Sequence, residues 1–146
     1  MPCFVVLLSA AAMEGLAMPT ILIIDDTALA RESVAKLLEY EGFETIRAAN
    51  GKEAYATLYE HTPDLILLDL MMPEMDGVTF LRMVRHSPRW QQLPVIVLTG
   101  VADDNHLIAR ARELHIDDLV PKATFGIEDL LQRVKKVIAA KSPSSN

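Results

Sequence analysis

The chain has 146 residues, enough for one domain with a real core and little else. Apolar residues make up 51% of it and charged residues 23%, which excludes a disordered chain, and fourteen Lys plus Arg against twenty Asp plus Glu leave a net charge of −6. No stretch gathers the basic residues into a phosphate-neutralising stripe, so direct nucleic-acid binding is disfavoured, and the single cysteine, Cys3, lacks a disulfide partner, so a reducing cytoplasm is expected.

The run from Phe4 to Ala12 is similar to the apolar part of a secretory signal. It has no positive start, since no Lys or Arg precedes Arg31, and it is too short to span a bilayer. Residues 1–17 therefore read as an extension outside the fold, with the folded domain over 18–140 and a loose tail over 141–146. No membrane contact is expected.

From Thr20 onward, β-rich apolar runs alternate with helical patterns, which predicts a parallel sheet covered by helices on both faces. The first strand is Ile21–Ile24, followed by a helix from Thr27, as N-cap, to Glu41, with Gly42 at a left-handed C-terminal cap. The second strand is Glu44–Ala48. Asn50 then caps a helix over Gly51–Glu60, and Thr62-Pro63-Asp64 breaks it before the third strand, Leu65–Leu68. A short helix over Gly77–Arg85 stops at Ser87-Pro88, and Trp90 in the next loop reads as a packing residue. The fourth strand is Val95–Leu98, the fourth helix Asp104–Leu114 and the fifth strand Asp118–Val120. The last helix, Ile127–Ala140, places Leu130, Leu131, Val134 and Ile138 along one face.

Ligands of an open parallel sheet gather beyond the carboxyl ends of its strands. Here those ends are polar: Asp25-Asp26 follow the first strand, Asp69 ends the third, Thr99 the fourth, and Lys122 follows the fifth. Three carboxylates brought together repel one another and call for positive charge. A hard divalent cation such as Mg²⁺ takes oxygen ligands, and Lys122 adds a second cation. Met71, Met72 and Met75 lack neighbouring Cys or His and read as loop and core packing, while His61, His86, His106 and His115 share no ligand spacing.

The segments ILIIDD (21–26), LILLDLMMPEMDG (65–77) and LPVIVLTG (93–100), with Lys122, resemble in order and spacing the receiver domains of two-component response regulators, over about Thr20–Ala140. The resemblance implies a flavodoxin-like (βα)5 fold with a doubly wound five-stranded parallel sheet, strand order 2-1-3-4-5. It implies a phosphorylation switch rather than an enzyme acting on other substrates. Carried over, it makes Asp69 the phosphoacceptor and a ligand of Mg²⁺ (or Mn²⁺), together with Asp26, the backbone carbonyl of Met71, and Asp25 acting mainly through metal-bound water. Thr99 and Lys122 would hold phosphoryl oxygens, and Pro73 and Gly77 would shape the acceptor loop. The implied partners are a sensor histidine kinase or phosphotransfer protein and a downstream protein target, with a homodimer through the fourth helix, fifth strand and fifth helix also open.

The chain departs from the family pattern in two places. Leu119 stands where most receivers have an aromatic residue, and Lys122-Ala123 replaces the usual Lys-Pro, with Pro121 ahead of the lysine. Aromatic coupling therefore does not carry over, and less constraint is expected after Lys122. These departures keep a non-phosphorylated, constitutive binding module in view. A phosphatase using Asp69 is disfavoured because Asp-x-Asp is missing.

Overall fold

Successive residues of a strand face opposite sides of its sheet, and in this protein both sides lead into apolar cores. Leu22, Ile24, Ile66, Leu68, Val95 and Val97 point into one core, while Ile21, Ile23, Leu65, Leu67, Ile96 and Leu98 point into the other. That is why these runs are apolar at every position.

The computed structural model describes residues 18–72, 75–100, 105–122 and 126–141. Among the described residues, five strands alternate with five helices: β1 (Thr20–Ile24), α1 (Ala28–Tyr40), β2 (Glu44–Ala48), α2 (Gly51–Glu60), β3 (Leu65–Asp69), α3 (Gly77–Arg85), β4 (Val95–Thr99), α4 (Asn105–Arg112), β5 (Asp118–Pro121) and α5 (Ile127–Lys141). All pairings are parallel and the order is β2-β1-β3-β4-β5, the expected doubly wound sheet. The three runs that are apolar throughout occupy its three central positions. The expectations for residues 1–17, Pro73, Asp104, Ala123 and 142–146 lie outside the described residues.

Helices α2, α3 and α4 cover one face through Ala54, Leu58, Phe80, Leu81, Val84 and Ala111. Helices α1 and α5 cover the other through Ala35, Leu38, Leu130, Leu131, Val134 and Val137. The inward stripe of α5 includes Val137, which sequence periodicity passed over, while Ile138 is only half-buried against the same core. Trp90 is buried, with its ring edge-on to Tyr55 and Tyr59 at 5.4 and 4.8 Å, in keeping with a packing role.

The helix ends are set by identifiable bonds. Asn50 Oδ1 accepts from Glu53 N at 2.7 Å, and Gly42 takes φ +101° after α1, both as anticipated. Thr27 holds the N-cap position of α1 without a side-chain capping bond; its own N–H instead donates to Asp25 Oδ1 at 2.9 Å. His115, at φ 60°, turns the chain after α4. Arg85 donates to the carbonyl oxygens of Gln91, Leu93, Leu114 and His115 at 2.8–3.0 Å, joining the entry of β4 to the turn before β5.

Candidate functional site

The chain leaves β1 toward β2 on one side and returns to β3 on the other, so the topology reverses between β1 and β3. At such a switch point the two connections diverge and open a crevice at the strands' carboxyl ends. Asp25 and Asp26 follow β1, and Asp69 is the last residue of β3. The three carboxylates each bring an oxygen within 4.8 Å of the others. Asp25 and Asp69 are buried, at 2% and 5% exposure, whereas Asp26 is exposed.

Lys122 arrives from β5 and is tied to β4 by its N–H, which donates to the Thr99 carbonyl at 2.7 Å. Its ammonium lies 2.8 Å from Asp25 Oδ2 and 3.4 Å from Asp69 Oδ2, so Asp25 is its nearer partner. Asp69 Oδ1 accepts from Met71 N at 3.2 Å. Thr99, buried at the end of β4, completes the edge. The structure thus brings Asp25, Asp26, Asp69, Thr99 and Lys122 together at one sheet edge, with Met71 beside them.

Burial pushes the Asp69 carboxyl up to about 6; the negative charge of Asp25 adds to this, while Lys122 and the Met71 N–H oppose it. Burial also disfavours the Lys122 ammonium, but its bond to Asp25 and the charges of Asp69 and Asp25 outweigh that and raise it above its ordinary value. One lysine among three carboxylates leaves the crevice short of positive charge. A group of hard oxygen donors, partly open through Asp26, fits a divalent cation.

Two supports had gone unread in the sequence, and a third, Gly77, had been read only as shaping the acceptor loop. The Arg31 guanidinium donates from Nη1 to the Asp25 carbonyl at 2.8 Å, a contact that depends on the β1–α1 turn. Asp76 Oδ1 accepts from Thr79 N at 2.8 Å and starts α3; an aspartate just before Gly77 was a legible capping signal. Gly77 packs directly on the backbone of Asp69 and Leu70, which only the fold reveals.

Residues 21–135 match the family model described as "Response regulator receiver domain". The chain belongs to the response-regulator receiver family. The phosphate regulon transcriptional regulatory protein PhoB of Pseudomonas aeruginosa is 35% identical over 127 residues, covering 87% of this chain and 55% of that protein. The chain spans about half the length of the curated relatives it matches. Among solved structures, the signal receiver domain of a signal transduction histidine kinase from Syntrophus aciditrophicus superposes with a TM-score of 0.78 at 32% identity, covering 86% of this chain and 93% of that one. The Vibrio cholerae chemotaxis protein CheY4 does so with 0.75 at 28%, covering 83% and 99%.

Receivers undergo phosphorylation and dephosphorylation on an aspartate of their own rather than turning over an external substrate, and the acidic cluster of this receiver is typical of that phosphoacceptor and Mg²⁺ site. No helix among the described residues is long and apolar enough to cross a membrane.

Proposed function

We propose that this receiver accepts a phosphoryl group on Asp69 from the phosphohistidine of a sensor histidine kinase or phosphotransfer protein in the cytoplasm. A carboxylate oxygen of Asp69 forms the new P–O bond as the P–N bond breaks; the departing imidazole nitrogen keeps the bonding pair and takes up a proton from solvent. Phosphoryl transfer asks mainly for positioning and charge stabilisation, so no separate base is required for an ionised carboxylate. Asp25, Asp26, Asp69 and the Met71 carbonyl are the residues that would hold Mg²⁺ or Mn²⁺. When bound, the cation offsets charge on the transferring oxygens. Lys122 and the Thr99 hydroxyl take the remaining phosphoryl oxygens.

The observation that carries this reading is the convergence of three carboxylates and Lys122, drawn from β1, β3 and β5, on one crevice. Signalling follows from the Lys122–Thr99 backbone bond: drawing Thr99 and Lys122 toward a phosphoryl group shifts the ends of β4 and β5 together. The surface of α4, β5 and α5 is then the one read by a downstream protein or by a second copy. An allosteric coupling of about 1–3 kcal/mol changes such affinities roughly 5–150-fold.

Intact mass after incubation with acetyl phosphate and Mg²⁺ tests the proposal. A gain of one phosphoryl group, lost in Asp69→Asn and in EDTA, is the expected result. No gain from acetyl phosphate or a cognate kinase would leave constitutive binding as the better reading, which Leu119 and Ala123 had kept in view.

A further inference from the structure

We infer that Arg31 is a positioning residue for the cation site, acting through the peptide that joins Asp25 to Asp26. This rests on the metal-binding reading above and extends it to a side chain outside the acidic cluster.

The peptide between Asp25 and Asp26 directs two neighbouring carboxylates to different tasks. Asp25 is determined on every side: its N–H donates to the Ala48 carbonyl at 3.2 Å, Oδ1 accepts from Thr27 N and Oδ2 from Lys122 Nζ. Its carbonyl oxygen is the atom that fixes the orientation of the following peptide, and Arg31 Nη1 donates to it at 2.8 Å. Arg31 is half-buried in the first turn of α1, and its own N–H donates to the Thr27 carbonyl at 2.9 Å. The guanidinium therefore reaches back from a fixed helix to the end of β1, as helical side chains directed toward the N-terminus do.

Asp26 is exposed and lies past this peptide, so its carboxylate depends on the peptide plane for its direction toward Asp69. A hydrogen bond to a cationic donor is worth more than a neutral one, and Arg supplies it without neutralising a ligand carboxylate. Side chains that orient metal ligands in this way typically change affinity about 10–100-fold when removed.

Charge and positioning predict opposite signs. Arg31 is a cation near a cation site, so its charge alone disfavours the metal, and removal on that ground would tighten binding. If its bond holds Asp26 in place, removal weakens binding instead.

The test is direct Mn²⁺ binding to the full chain, with free Mn²⁺ counted by electron paramagnetic resonance and no phosphodonor present. Arg31→Met and Arg31→Ala remove the donor by different routes, so a folding defect in one leaves the other to decide. Metal-free unfolding followed through buried Trp90 checks that the variant measured is folded. We expect each folded variant to bind about 10-fold more weakly than wild type, with Arg31→Lys recovering part of the loss. Unchanged or tighter binding in the folded variants, beside a wild type that binds, overturns the inference alone. Absence of Mn²⁺ binding by wild type overturns the metal-site reading and this inference with it.

Discussion

A β-carbon built on Gly77 would lie 2.6 Å from the carbonyl oxygen of Asp69, and 2.7 Å from Leu70 Cα. Both obstacles are backbone, so the contact cannot be relieved by turning a side chain. The Gly77 N–H also donates to the Leu70 carbonyl at 2.9 Å, which presses the start of α3 against the end of β3. We expect Gly77→Ala to destabilise the fold by about 1–3 kcal/mol and to slow phosphorylation by displacing the acceptor strand. Urea unfolding and the rate of acetyl-phosphate labelling check the two effects separately.

The raised Asp69 carboxyl predicts a pH dependence with a definite sign. Its value of about 6 in the fold stands above the ordinary 3.8, so between those two values the native state holds a proton that the unfolded chain has released. Stability therefore falls as pH rises through that window, and the deficit is complete above about pH 6. In metal-free buffer, Asp69→Asn should exceed wild type in stability by about 1–3 kcal/mol at pH 7.5, the attraction of Lys122 being already counted in the net shift. The advantage should vanish near pH 4. Urea titrations at the two pH values decide it.

Asp26 is exposed, so its replacement should cost the metal-free protein less than about 0.5 kcal/mol. Mg²⁺ at a hundred times its dissociation constant should stabilise wild type by about 2.7 kcal/mol, and Asp26→Asn should lose most of that gain. Thermal unfolding with Mg²⁺ and with EDTA provides the comparison. Equal Mg²⁺ stabilisation of both proteins would remove Asp26 from the ligand set.

Arg85 bonds carbonyls of Gln91, Leu93, Leu114 and His115, groups that its removal would leave short of partners. Arg85→Ala should destabilise the protein by about 2–4 kcal/mol, as expected for a half-buried, multiply bonded charge. Arg85→Lys should recover less than half, because one ammonium cannot reproduce the planar fork. Acetyl-phosphate labelling of the folded variants should persist, since the carbonyls bonded by Arg85 belong to the α3–β4 loop and the α4–β5 turn, not to Asp25, Asp26, Asp69 or Lys122.

The sequence by itself determined the number and order of elements, the identity of the three central strands, and the polar residues at the strand ends. Those features depend on local periodicity and on which strands need apolar residues on both faces, so a one-dimensional pattern records them. Helix bounds such as Gly51–Glu60 and Gly77–Arg85 were legible for the same reason. Only the tertiary structure decided that Lys122 lies nearer Asp25 than Asp69, that Gly77 abuts the acceptor strand, and that Arg31 and Arg85 spend their donors on backbone carbonyls. Backbone carbonyls look alike in every sequence, and a bond to one depends on how a turn directs it. The charge balance that raises Asp69 is likewise a product of burial, which no residue carries in its name.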